Sequence, residues 1–314
     1  MTKVIHKPSK PAKPKVLVIL GTTSAGKTGL AVRLAKELGG EIVSADSRQV
    51  YKGLDIGTGK DLPEYKAGGR KISYHLIDVA SPKIKYDLAR YQKDALGALE
   101  DILKRGKLPI IVGGSGLYLQ ALVDNYQLGG EKPDHAQRSL WEQKPAAELF
   151  KLLTKKKPEF AERLNNSDKN NPRRLARYLE ILAQGGTAKS QTGEKLYDYL
   201  ILGLDCPEKI LRERVYERLV HRLEKEDLAG EVKRLHEAGL SWERLDSFGL
   251  EYRFVSRYLR GQLKYEEMLE KLNRAIYGFA KRQKTWFRRW AKQGAKIHWV
   301  EDKDEAVQII KKWL

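Results

Sequence analysis

Residues 16–28 read VLVILGTTSAGKT. Val16–Leu20 is apolar without alternation, the pattern of a short strand buried on both faces, as in a parallel sheet. The next eight residues, Gly21, Thr22, Thr23, Ser24, Ala25, Gly26, Lys27 and Thr28, have the spacing G-x-x-x-x-G-K-T. Between a strand and a helix, that spacing makes a phosphate-binding loop. Its glycines let the backbone turn around phosphate oxygens, and successive N–H groups and the helix N-terminus supply partial positive charge. Lys27 adds a full charge, and the Thr28 hydroxyl is a ligand for Mg²⁺. The motif alone denotes a nucleotide such as ATP, but it recognises only a chain of phosphates and leaves open what hangs from them.

Outward from the loop, Leu30, Leu34 and Leu38 share one face of a helix that Gly39–Gly40 end. EIVSADS (41–47) reads as a second strand with its exit loop, YHLIDV (74–79) as a third and LPIIVGG (108–114) as a fourth. An amphipathic helix is expected over 86–105, and GLYLQALV (116–123) opens another. Strands alternating with helices predict an α/β fold, a P-loop NTPase-like parallel sheet covered by helices. From 125 to 195 the chain shows short helical patterns, basic clusters such as KNNPRRLAR (169–177) and no strand candidate. Sheet character returns at YLILGLD (199–205) and KIHWV (296–300). The expected organisation is therefore a discontinuous core, 16–124 and 196–314, with an all-helical insertion over 125–195. Residues 1–15, rich in lysine and spaced prolines, have little to bury and read as a disordered basic tail.

The chain of 314 residues carries 60 Lys and Arg against 41 Asp and Glu, a net charge of +19. Residues 1–125 hold 21 basic against 12 acidic side chains and the remainder 39 against 29, so the excess is spread evenly. A chain basic throughout suggests a polyanionic partner. No stretch approaches the ~20 apolar residues of a membrane span, and Val16–Leu20 lacks the flanks of a signal peptide. One cysteine, Cys206, excludes an internal disulfide and a multi-cysteine metal site and fits a reducing, cytoplasmic setting. A monomer without an obligate protein partner is expected.

Two acidic residues follow strands. Asp46, in SADSRQVY (44–51), falls on the strand-end edge that carries the phosphate loop; its position suits a reactive carboxylate or a turn residue equally. Asp78 ends the third strand as either a metal-site acid or an ordinary strand-end carboxylate. GGSGLYL (113–119) lacks the third glycine of a dinucleotide loop. Between Lys271 and Val300 nine Lys/Arg stand without an Asp or Glu, among Trp286, Phe287, Trp290 and Trp299. Such a segment suits phosphates and unstacked bases, or a helix with a packed aromatic face.

Taken together, GTTSAGKT, EIVSADSRQVYKGLDIGTGK, YHLIDV, PIIVGGSGLYLQAL and AKRQKTWFRR resemble the tRNA dimethylallyltransferases, also called tRNA isopentenyltransferases, over residues 16–300. The resemblance implies transfer of a dimethylallyl group from dimethylallyl diphosphate to N6 of the tRNA adenosine just 3′ of the anticodon. The loop would then hold a diphosphate leaving group rather than ATP. By position, Asp46 matches the family's general base, and Ser115 stands where a threonine is usual. Arg222 matches the arginine that neutralises the diphosphate, and Gly21–Thr28 match the diphosphate-binding stretch, with Mg²⁺ at Thr28. The tRNA-contacting positions implied are Asp46, Ser47, Arg48, Gln49, Ser115, Arg138, Asn170, Asn171, Arg173, Arg174, Arg177, Lys281, Arg282 and Gln283. The sequence departs from the family pattern at FGLEYR (248–253), at Arg48 in place of a frequent methionine, and at Asn171. The cysteines and histidines of the eukaryotic zinc-finger extension are absent, which implies a bacterial-type enzyme.

Three other readings share parts of these features: a P-loop kinase of a nucleoside or small metabolite, an isopentenyltransferase acting on free adenine nucleotides, and a non-enzymatic RNA-binding protein with a relic loop. The kinase leaves the charge and the basic insertion unexplained. The free-nucleotide enzyme has no use for the insertion, and the relic has no use for an intact Lys27, Thr28 and Asp46.

Overall fold

The computed structural model describes residues 12–67, 70–128, 140–185 and 191–314. Residues 1–11 of the expected tail and Arg138 lie outside the described residues. The last residue of the expected tail, Lys15, already belongs to the first strand.

Six strands form one parallel sheet: β1 (Lys15–Gly21), β2 (Glu41–Ser44), β3 (Tyr74–His75), β4 (Pro109–Gly113), β5 (Asp198–Leu204) and β6 (Ile297–Val300), in the order β6-β5-β1-β4-β2-β3. Strand β1 lies at the centre, in register with β4 from Leu17–Ile110 to Leu20–Gly113 and with β5 from Lys15–Asp198 to Gly21–Leu204. Its unbroken apolar run follows from burial on both faces: Val16, Val18 and Leu20 enter one core, Leu17 and Ile19 the other. YHLIDV contributes only two residues to β3. Leu76 and Asp78 take positive φ (62° and 58°), which turns the chain out of extended geometry.

Helices α1 (Lys27–Leu38) and α10 (Lys303–Trp313) cover the face of Leu17 and Ile19. Helix α1 stops where Gly39 takes φ +63°, a left-handed cap that favours glycine. The opposite face is covered by α2 (Leu88–Lys104), α3 (Gly116–Val123), α6 (Glu208–Glu224), α7 (Leu228–Glu237), α8 (Leu250–Leu259) and the long α9 (Tyr265–Lys292). Along α9 the buried residues are Met268, Leu272, Ile276, Ala280, Gln283, Phe287 and Trp290. Steps of three and four residues make one apolar stripe. This divides the aromatic cluster: Phe287 and Trp290 are core, Trp286 is half-buried with Nε1 donating to Gln120 (3.1 Å), and Trp299 is exposed.

Asn125–Glu194 forms a compact unit of its own. Its helices α4 (Ala146–Lys156) and α5 (Pro172–Ala183) enclose a separate core of Leu149, Leu153, Ala161, Leu164, Leu175 and Leu179. The unit is not wholly helical: Tyr126–Gln127 pairs antiparallel with Gln191–Thr192. Two-residue strands at the two ends of a segment leave no periodicity to read. Among the described residues no helix is long and apolar enough to cross a membrane.

Candidate active site

The loops leaving β1, β2 and β4 meet at the carboxyl edge of the sheet, where ligands bind in open parallel folds. Gly21–Thr28 turns through positive φ at Ser24 (59°) and Gly26 (86°). Lys27 Nζ donates to the Thr22 carbonyl at 2.6 Å. Burial, then the neighbouring Arg218 guanidinium, lowers the Lys27 ammonium to about 8, and Asp46 opposes the shift. An anion of several charges would restore the charged form.

Asp46 stands just beyond β2. Its Oδ1 accepts from the amides of Arg48 (2.8 Å) and Gln49 (3.4 Å), an Asx turn that fixes the carboxyl group. Oδ2 accepts from none of the described residues. The Ser47 amide donates to Ser115 Oγ (3.0 Å), and the Ser115 amide donates to the Ala45 carbonyl (3.2 Å), so the β4 exit braces the Asp46 turn. Gly113 makes this possible, because a Cβ there would collide with the Ala45 carbonyl.

These elements line a cavity of about 410 Å³ together with loop 57–59, Arg218 and Arg222 of α6, residues 248–251 and 253, and Ile276, Phe279, Arg282 and Gln283 of α9. One wall is cationic. Arg218 and Arg222 lie one helical turn apart and both face Gly59, whose missing side chain leaves room for the two guanidiniums. Arg218 pairs with Asp61, and Arg222 Nη2 lies 3.9 Å from the other oxygen of the same carboxylate. Arg222 is 6% exposed and its Nη2 is buried without a hydrogen-bond partner, which marks it for an anionic ligand. Burial lowers the Arg222 guanidinium and raises the Glu251 carboxyl, which Arg222 in turn pulls down. Another wall is apolar, with Val112, Phe248, Leu250, Ile276 and Phe279.

The sequence expectations meet this geometry as follows. Lys27, Thr28, Asp46, Ser47, Arg48, Gln49, Ser115, Arg222, Arg282 and Gln283 share the cavity. The Arg48 guanidinium donates no hydrogen bond to the described residues, and burial lowers it. Two cavity residues of the expected tRNA-contacting set also hold neighbouring loops in place. Gln49 Nε2 donates to the Gly59 carbonyl (2.8 Å) and its Oε1 accepts from Ser44 (3.0 Å). Gln283, 6% exposed, accepts from the Thr23 amide (2.8 Å) and donates to the Gly114 carbonyl (2.9 Å). Both ends of its amide brace the phosphate loop, and one N–H and one lone pair remain for a further partner. Asp78 is structural: with Asp55 it pairs with Lys60, a lysine only 1% exposed. In the second unit Asn171 caps α5 by accepting from the Arg174 amide (3.2 Å), Asn170 donates to the Asn166 carbonyl, and Arg174 and Arg177 pair with Asp168 and Glu180. Arg173 is 80% exposed, and Lys281 is exposed on α9. Sequence reasoning missed Arg218; its only signal was a spacing of four from Arg222 on a helix crowded with charges.

A loop of phosphate-binding spacing at a strand end, a paired-arginine wall and a fixed carboxylate share one cavity on a P-loop NTPase-like fold, the arrangement of an enzyme site suited to an anionic substrate. The IPP transferase family model matches residues 49–290, and the chain belongs to that family. It is 44% identical over 291 residues to tRNA dimethylallyltransferase 1 of Syntrophus aciditrophicus, covering 92% of this chain and 94% of that protein. It is 46% identical over 294 residues to tRNA dimethylallyltransferase 2 of Treponema denticola, covering 92% and 96%. Among solved structures it is similar to the tRNA isopentenylpyrophosphate transferase of Bacillus halodurans, with a TM-score of 0.69, 32% identity and coverage of 96% and 95%. A eukaryotic dimethylallyltransferase acting on tRNA matches with a TM-score of 0.72 and 27% identity, covering 92% of this chain and 74% of that one.

Proposed function

We propose that this protein transfers a dimethylallyl group from dimethylallyl diphosphate to N6 of the adenosine at tRNA position 37, 3′ of the anticodon, and releases diphosphate. The observation that carries this reading is that Asp46, with Oδ1 fixed and Oδ2 free of hydrogen bonds from the described residues, lines the same cavity as Lys27, Thr28 and the buried Arg222, whose Nη2 has no hydrogen-bond partner. The diphosphate lies in Gly21–Thr28 against Lys27, Arg218 and Arg222. The five-carbon group faces the apolar wall of Phe248, Leu250, Ile276 and Phe279.

N6 attacks the allylic carbon while the C–O bond breaks, and its electron pair leaves with the diphosphate. The N6 lone pair is delocalised into the ring, so attack needs a base; Asp46 Oδ2 accepts the proton that N6 loses. Negative charge grows on the leaving oxygen, where the three cations stand. Thr28 lines the cavity and offers a single hydroxyl oxygen beside the phosphate loop. This suits Mg²⁺, which is held by one or two protein oxygens plus substrate phosphates. The Thr28 hydroxyl would hold the ion, which would supply charge neutralisation of the diphosphate.

The target base leaves the anticodon-loop stack at a cost of a few kcal/mol. Exposed Phe279 beside Arg282, with Arg48 and Arg253, offers stacking and phosphate contacts at the cavity. The basic residues of the second unit, Arg173 foremost, contact the anticodon stem-loop. The protein acts as a monomer in the cytoplasm. Incubation with labelled dimethylallyl diphosphate and either total tRNA or AMP tests the reading. Label is expected in tRNA alone; label in AMP, or phosphate transfer from ATP without prenylation, would replace it.

A further inference from the structure

A buried carboxylate outside the cavity grips a loop that borders both halves of it. Glu231, on α7, is 5% exposed. Its Oε2 accepts from the amides of Asp55 (3.0 Å) and Ile56 (2.7 Å), and its Oε1 from the amide of Gly57 (3.1 Å) and the hydroxyl of Tyr252 (2.7 Å). Three consecutive amides turned onto one anion form a nest, and four donors fill the capacity of a carboxylate. The close approach requires glycine at 57, since a Cβ there would strike the Tyr252 ring.

The gripped loop reaches the reacting groups two residues later. The Gly59 carbonyl accepts from Gln49 Nε2 (2.8 Å), and the Gln49 amide points to Asp46 Oδ1 (3.4 Å). On its other side Gly59 faces the guanidiniums of Arg218 and Arg222. A displacement of loop 55–59 therefore moves the seat of the base and the seat of the arginine pair together.

We propose that Glu231 is a positioning residue for prenyl transfer, acting through loop 55–59 on Asp46 and on the Arg218–Arg222 pair. The inference rests on the prenyltransferase reading above. Misplacement of reacting groups by about 1 Å costs about 10²-fold in rate, so Glu231→Ala is expected to lower kcat by about that factor and to raise KM for dimethylallyl diphosphate. The dissociation constant for tRNA should not change. Glu231→Gln keeps one oxygen for the Asp55 and Ile56 amides and an N–H for the Tyr252 oxygen, losing only Gly57, and should fall between wild type and alanine.

The measurement is kcat, donor KM and tRNA affinity for wild type and both variants, each well below its melting temperature with the folded fraction checked by circular dichroism. Lowered kcat with raised donor KM in the folded variants, ordered Ala below Gln, supports the proposal. Folded Glu231→Gln with wild-type kcat and donor KM overturns it, even should Glu231→Ala fail to fold, and so does a lower melting temperature with unchanged kinetics. The wild-type control reports separately on the parent reading: no transfer to tRNA there removes the reaction itself.

Discussion

Asp46 divides its work between two oxygens. Oδ1 is spent on the Asx turn, which fixes the carboxyl group in the cavity, while Oδ2 is unengaged. Asp46→Asn keeps an acceptor for the turn and loses the proton acceptor, so kcat should fall by about 10²–10⁴ while tRNA affinity stays as it was. Near-wild-type turnover in the asparagine variant would remove Asp46 as the base. Lys27 gives a second residue-scale test. Its ammonium is lowered to about 8 by burial and by Arg218. The charged form is the one that holds phosphate, so donor binding is complete below that value and weakens as pH rises through it. The free-enzyme profile, kcat/KM for dimethylallyl diphosphate, should decline above about pH 8, and Lys27→Arg, which does not titrate there, should flatten it. A wild-type profile level to pH 9 would contradict this.

At the scale of elements, α9 is both a core helix and a brace for the site. Gln283 spans 260 residues to the Thr23 amide and 169 to the Gly114 carbonyl. Gln283→Leu leaves a buried carbonyl, at about 1–3 kcal/mol, and a partly buried amide unpaired. A lower melting temperature and a higher donor KM are expected, with tRNA affinity retained. Strand β2 carries a different load at its far end. Glu41, 2% exposed, binds Arg105, Lys107 and His75, and the Arg105 hydrogen bonds, chiefly, hold its carboxyl well below the usual range. Its contribution to stability is therefore present above the unfolded value of 4.5 and is lost as pH falls below it. The melting-temperature gap between wild type and Glu41→Gln should be open at pH 7 and narrow progressively below about pH 4.5; a gap independent of pH would refute this. These elements also show what a sequence makes legible. The phosphate loop, the strands and the α9 stripe are local patterns, and Asp46 was identifiable from its strand-end position and its motif. Arg218, the bracing role of Gln283 and the grip of Glu231 on loop 55–57 depend on partners 157 to 260 residues away, and no spacing rule encodes such pairings.

For the whole molecule, charge and cavity chemistry separate two kinds of affinity. The donor is held by cations sheltered from solvent: Arg222 is 6% exposed and Lys27 is half-buried. Interactions of that kind are screened little by salt. The tRNA would meet exposed groups instead, such as Arg173, Lys281 and Arg282, drawn from a net charge of +19. Binding through phosphates releases counterions, so each contact adds close to one unit to the slope of log K against log salt. Several such contacts would weaken tRNA binding by orders of magnitude between about 50 and 200 mM salt, while donor KM moves little. Arg282→Ala and Arg173→Ala should each reduce that slope by about one. A tRNA affinity flat across this range would mean that the basic surface does not contact phosphates. Equal salt sensitivity of donor and tRNA would mean that Lys27 and Arg222 are reached by solvent ions, against their burial.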